Sequence, residues 1–246
     1  MRRSRGGPDN ARRSGSRTLT HVAPEMSCDR NRVQPGDGRY GPERYGRAIK
    51  DYYEDLWERL PADLEPPSYE LRLRFLRGDV RAGDRALDIG CGTGEFTAAL
   101  AQAGAVVVGV DVADAAIERA RARHPGLDFR LVPIDGPLPF EDNSFDLVWA
   151  SEVIEHVADT ARWLSEVRRV LAPAGRLLVT TPSHGRLRVA VFGMERFSEP
   201  LGDHLHLYTK ESLRELLDEF GFSEIRVRAV EGPPLLRRSL LARAVR

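Results

Sequence analysis

From Gly83 onward, apolar positions fall into short continuous runs that alternate with longer stretches of helical spacing. RALDIG reads as a strand, EFTAALAQAG as a helix closed by Gly104, AVVVGVD as a strand, and ADAAIERARARH as a helix stopped by Pro125 and Gly126. LDFRLV and FDLVWA are two further strands. Asp159 is placed to cap a helix that buries Trp163, Leu164, Val167, Val170 and Leu171 and stops at APAG. RLLVTTP then reads as a strand, Thr209 caps the helix KESLRELLDEF, and SEIRVRAV is the last clear strand. Apolar strands alternating with amphipathic helices imply βαβ units and a mainly parallel sheet covered on both faces. The expected fold is therefore α/β and doubly wound, with its ligand site beyond the carboxyl ends of the strands. No seventh strand is evident: PPLLRRSLLARAVR, within residues 232–246, reads as a basic helix or tail.

Upstream of this domain, expected over residues 81–231, the pattern is helical. YGPERYGRAIKDYYEDLWERL carries Tyr45, Ile49, Tyr52, Tyr53, Leu56 and Trp57 at helical spacing, and a second short helix runs from Tyr69 to Arg77 and ends at Gly78. Residues 39–80 thus form a helical segment whose aromatic residues either pack against the following domain or cover a ligand as a lid. Residues 1–38 are rich in Arg, Ser and Gly and poor in large apolar side chains, so they are expected to stay disordered.

Composition narrows the function classes. Thirty-seven basic residues balance 37 acidic ones, so no overall field recruits nucleic acid or an anionic membrane, and a nucleic-acid partner is disfavoured without being excluded. No apolar run reaches the roughly 18 residues that a membrane span needs. The two cysteines, Cys28 and Cys91, lie in a tail and a glycine loop and suggest no disulfide framework, which favours the cytoplasm.

The chemistry gathers at the strand ends. LDIGCGTGEF puts Gly90, Gly92 and Gly94 between the first strand and its helix, where glycines allow a tight turn and bring backbone N–H groups near a ligand. No Gly-Lys-Ser/Thr follows, so this is not a P-loop, and the G-x-G-x-G spacing is not the dinucleotide pattern. Asp88 just before the loop would repel a pyrophosphate but suits an ammonium. Asp111 ends the second strand, where an acid can take ribose hydroxyls, and Asp135 lies near the end of the third. Three acids at adjacent strand ends around a glycine loop outline a nucleoside with a cationic amino-acid tail.

On these residues the chain resembles the class I S-adenosylmethionine-dependent methyltransferases, over roughly Tyr40 to Val230. ALDIGCGTGEF resembles the family's first motif, VVGVD its second-strand acid, LPFEDNSFDLVWASEVIEHV its fourth-strand region and LAPAGRLLVTTP its fifth. The resemblance implies a methyltransferase that binds S-adenosylmethionine and a small-molecule acceptor. It assigns Asp88 and the Gly90, Cys91, Gly92 and Gly94 backbone to the methionine part, Asp111 to the ribose and Asp135 to the adenine amino group. Val112, Gly136 and Ser151 complete that site.

SEVIEHV, directly behind the fourth strand, places Glu152, Glu155 and His156 beside the expected transfer site. As the start of a helix it would project all three from one face. His156 then serves as a general base near the acceptor, or the three residues bind a divalent cation such as Mg²⁺ or Mn²⁺, or they are structural. The E-x-x-E-H spacing is similar to that of ubiquinone-pathway O-methyltransferases and RNA 3′-terminal 2′-O-methyltransferases, which implies a further histidine ligand at His206 or His204. The acceptor pocket is expected between the aromatic helix and residues 183–207, with Phe192, Met194 and Phe197. The leading expectation is methyl transfer to a small molecule, at oxygen more than elsewhere; the rivals are an RNA 2′-O-methyltransferase and a module that binds S-adenosylmethionine without catalysis.

Overall fold

The computed structural model describes residues 42–61, 66, 68–134, 136–185, 189–190, 204–234 and 236–246. Two helices come first, α1 (Pro42–Arg59) and α2 (Tyr69–Arg77). Strands and helices then alternate: β1 (Arg85–Ile89), α3 (Glu95–Gln102), β2 (Val106–Asp111), α4 (Asp114–Arg123), β3 (Asp128–Leu131), β4 (Phe145–Ser151), α5 (Thr160–Val170) and β5 (Leu171–Pro182). The last described elements are α6 (Lys210–Glu219), β6 (Ser223–Val230) and β7 (Ser239–Val245). The expected tail, residues 1–38, lies outside the described residues.

The strands form one seven-stranded sheet in the order β3-β2-β1-β4-β5-β7-β6. β1 is central and parallel to β2 and β4, while β7 runs antiparallel between β5 and β6. The strand order reverses at β1, so the crevice beyond the carboxyl ends of β1 and β4 is where a doubly wound sheet takes its ligand.

Alternate strand residues feed two apolar layers, as the pleat requires. On one face Ala86, Val107, Leu147, Trp149 and Leu178 pack against Leu73 and Leu76 of α2 and Phe96 and Leu100 of α3. On the other, Leu87, Val148, Leu177, Val179, Ala242 and Ala244 pack against Leu164 and Val167 of α5 and Leu213 and Leu217 of α6. Helix α2 therefore contributes to the core through Leu73 and Leu76. Two helix starts follow the expectation: Asp159 accepts from the Arg162 N–H at 2.9 Å, and Thr209 forms a reciprocal cap with Ser212.

Two expectations are corrected. The basic tail is the strand β7: Leu240, Leu241, Ala242 and Ala244 are buried, and Arg243 interrupts that apolar run. SEVIEHV does not begin a helix. Glu152 has a left-handed backbone (φ 56°), the following residues turn, and α5 starts only at Thr160.

Because β7 lies between β5 and β6 and links them in the sheet, a chain truncated after Arg238 is expected to lose its cooperative thermal transition. A truncated chain that keeps the native circular dichroism and melts cooperatively would contradict this assignment.

Candidate cofactor and acceptor site

The carboxyl ends of β1 and β2 carry two buried acids. Asp88 is 1% exposed and accepts the Thr97 hydroxyl at 2.5 Å. Burial, followed by the neighbouring Asp111 charge, raises its pKa to about 7 against the ordinary 3.8, even though Thr97 opposes the shift. Asp111 accepts the backbone N–H of Gly92 (2.9 Å) and of Ala113 (3.1 Å), with Val112 adding a third. Burial still holds Asp111 above its usual range. A carboxylate has about four acceptor sites, so Asp111 retains room for about one more donor.

The glycine loop lies between them. Four of its N–H groups are bonded within the fold: those of Gly90 and Cys91 to the Val110 carbonyl (2.8 and 2.9 Å), that of Gly92 to Asp111, and that of Gly94 to the Cys91 carbonyl (2.9 Å). Those four N–H groups of the loop are not available to a ligand. Its glycines are needed for fit, because Gly90 (φ 69°) would carry a Cβ 2.5 Å from Val153 Cγ2, and Gly92 (φ 53°) one 2.9 Å from Trp57 Cη2. The side chain of Cys91 is a core group packed with Ile117, Ala120 and Phe129, and burial pushes its thiol far up. Val112 is half-buried, and Gly136 lies at a bend where a Cβ would meet Pro133 at 2.2 Å. Asp135 lies outside the described residues.

Helix α1 is fastened across this rim. Glu54 accepts from the Asp114 and Ala115 N–H groups (2.7 and 3.0 Å), supplying the cap that Ala113 at the start of α4 cannot. Arg119 of α4 bonds in return to the Leu60 carbonyl at 2.9 Å. This sets Trp57 over Gly92 and Tyr53 edge-on to His156, with ring centroids 6.0 Å apart.

The second cluster sits where β4 ends. The left-handed Glu152 is held by Arg72 of α2 at 3.0 Å and by the Thr180 hydroxyl at 3.0 Å. Ser151 bonds to Thr180 (2.8 Å) and Arg72 (3.4 Å). These ties turn the chain over the glycine loop, which is why the segment is no helix. Glu155 is fully buried, accepts the Thr181 hydroxyl at 2.9 Å, and points its other oxygen, without a hydrogen-bond partner among the described residues, toward His156 Nε2 at 3.8 Å. Burial, then the Glu152 charge, pushes its carboxyl well above the usual range.

The expected set Glu152, Glu155, His156 and His206 is not brought together. Glu152 is taken by Arg72, and His206 Nε2 bonds to the Val157 carbonyl at 2.9 Å. Instead Glu155, His156 and His204 gather, with one ligand atom of each within 4.8 Å of the others. One carboxylate and two imidazoles fit Mg²⁺, an oxygen-seeking ion, poorly; they are closer to the donors of Zn²⁺ or Mn²⁺. Phe192, Met194 and Phe197 lie outside the described residues, as does the side chain of Tyr45.

The sequence reading missed Arg72, Thr97 and Glu54. Arg72 was visible as a charge inside the apolar stripe of Tyr69, Leu73 and Leu76; Thr97 and Glu54 carried no comparable signal.

A 3-2-1-4-5-7-6 sheet with acids at the ends of β1 and β2 around a glycine turn defines a nucleoside-binding α/β domain. Residues 87–179 match the family model described as a methyltransferase domain. A demethylmenaquinone methyltransferase of Staphylococcus aureus is 32% identical over 177 residues, covering 62% of this chain and 73% of that protein. The 27-O-demethylrifamycin SV methyltransferase of Amycolatopsis mediterranei is 40% identical over 136 residues, covering 52% of this chain and 50% of the relative. A crystal structure of an S-adenosylmethionine-dependent methyltransferase from Mesorhizobium loti shares the fold at TM-score 0.58, with 24% identity, over 76% of this chain and 100% of that one. The chain belongs to the S-adenosylmethionine-dependent methyltransferases. It spans 34% to 50% of the length of the first curated relatives it matches. Among the described residues no helix is long and apolar enough to cross a membrane.

The raised Asp88 pKa makes a signed prediction. The folded chain holds this proton more tightly than the unfolded chain, so the stability it confers is present in acid and fades as pH rises from 3.8 to about 7. A cationic ligand favours the ionised form, so S-adenosylmethionine affinity should climb over the upper part of that window, by up to about tenfold per unit, and level off above it. Calorimetric titrations should find Asp88→Asn weaker and without this slope; an unchanged slope in the variant would assign it elsewhere.

Proposed function

We propose that this chain transfers a methyl group from S-adenosylmethionine to a small-molecule acceptor, at oxygen. The observation that carries the reading is the pair of buried, raised carboxylates Asp88 and Asp111 around a glycine loop: such a pair favours a cation and disfavours a phosphate. When bound, S-adenosylmethionine supplies an electrophilic methyl group on its sulfonium.

The chain's own residues bind, align and handle the proton. Asp88 draws the amino-acid end beneath the loop, and Asp111 accepts a ribose hydroxyl with its remaining capacity. Trp57 and Tyr53 on α1 cover the rim and limit water. An acceptor hydroxyl must lose its proton as the new carbon–oxygen bond forms, and His156 is the group placed to take it. The buried Glu155, itself oriented by Thr181, lies 3.8 Å from the imidazole Nε2 and borders the ring. Oxygen as the accepting atom is further supported by the rifamycin relative, whose name specifies an O-methyl position. A cytoplasmic setting agrees with the single free, buried thiol among the described residues.

A second reading, an ion at Glu155, His156 and His204, is favoured by the open Glu155 oxygen aimed at that cluster. The two separate by experiment. With a panel of phenols, quinols and hydroxylated macrolides, S-adenosylhomocysteine should accumulate, His156→Ala should lower turnover by about 10² or more while cofactor affinity holds, and excess EDTA should leave the rate unchanged. Loss of activity in EDTA that returns with Mn²⁺ or Zn²⁺ would favour the ion, and a fully active His156→Ala would remove both.

A further inference from the structure

We propose that a groove on the α2 side of β6 and β7 is a docking site for an acidic, apolar segment of a partner protein. The register defines the face. Leu178 of β5 packs beneath α2 and α3; its cross-strand partner is Arg243 of β7, and the partner of Arg243 is Arg226 of β6. Residues directly opposite in a sheet share a face, so Arg243 and Arg226 continue the face that the two helices cover elsewhere. Arg228, two residues along β6, joins them.

Here the sheet carries arginines where the neighbouring strands carry core residues. Together with α2 and the turn after it, they line a groove of about 640 Å³ floored by Leu71, Phe75, Val80, Val230 and Leu241. Like charges placed directly opposite on a sheet are destabilising, so the Arg226–Arg243 pair is a cost to the fold. Arg243 is relieved by Asp79 and, at 3.5 Å, by Glu224. These are the groove's two acids, and Asp79 is also engaged by the buried Arg176 at 3.5 Å. Arg226, Arg228, Arg74 and Arg81 are exposed and make no ion pair among the described residues. The chain as a whole is neutral, so this is a local concentration of positive charge over an apolar floor.

The occupant follows from charge and shape. The chain's own first residues are arginine-rich and would be repelled. A nucleic acid needs flat side chains on which bases stack, and the floor is aliphatic apart from Phe75, which is packed toward Trp149 at 6.1 Å. A segment mixing carboxylates with leucine-type side chains satisfies both parts: its acids take the arginine forks, and its apolar groups cover the floor. Such a surface lies apart from Asp88, Asp111 and His156, so the proposal does not rest on the methyltransferase reading.

The test uses the full chain and a fluorescein-labelled short peptide of mixed glutamate and leucine, read by anisotropy. The peptide should bind, more weakly as salt rises, and the double variant Arg226→Glu/Arg228→Glu should weaken it by about tenfold or more while S-adenosylmethionine affinity is unchanged. The milder Arg226→Gln/Arg228→Gln guards against misfolding and should weaken binding in the same direction. A matched lysine–leucine peptide should not bind, and Arg214→Glu, on α6, should have no effect. The proposal is overturned if the acidic peptide fails to bind, if Arg214→Glu weakens it equally, if a single-stranded RNA binds the groove more tightly, or if sedimentation finds a dimer that the double variant abolishes.

Discussion

The cost of burying carboxylates at the ends of β1 and β2 is the constraint on which the rest of this structure depends. Two acids in a nearly dry rim repel one another and are pushed toward their neutral forms. The fold spends several groups on limiting that cost: the Thr97 hydroxyl on Asp88, and the N–H groups of Gly92, Val112 and Ala113 on Asp111. A cation brought to this rim lessens the remaining imbalance, and its binding is then coupled to proton loss.

The same economy explains the second cluster. A strand that ends among carboxylates must turn sharply to bring them over the loop, and here it does so at a left-handed glutamate, a conformation that costs about 1–3 kcal/mol unless the surroundings hold it. Arg72, itself buried, and Thr180 do the holding. The turn then packs Val153 onto Gly90, so the end of β4 and the glycine loop share one contact. Helix α1 closes the arrangement by exchanging caps with α4, which ties the covering helix to the residues that follow Asp111.

Much of the fold was legible because periodicity is local. Buried parallel strands are apolar throughout, and Asp159 and Thr209 announce their helices in the sequence itself. Strand β7 was hidden because Arg243 breaks its apolar run and basic residues precede it. The helix expected at SEVIEHV failed for a tertiary reason: spacing alone cannot reveal that Arg72, far away in sequence, captures Glu152. For the same reason the choice between His204 and His206 was open. Both lie on one extended segment, and only the Val157 carbonyl decides which imidazole turns away. Asp88 and Asp111 could be read from their place after apolar strands, but their internal hydrogen bonds and those of the glycine loop could not.

The most direct test of this account is the titration of the Asp88 side-chain carboxyl, followed by carbon-detected NMR in protein labelled at aspartate, with and without S-adenosylmethionine. The account predicts a midpoint near 7 in the free protein and a clear downward move when the cofactor is added. A midpoint in the ordinary carboxylate range that the cofactor leaves in place would contradict it.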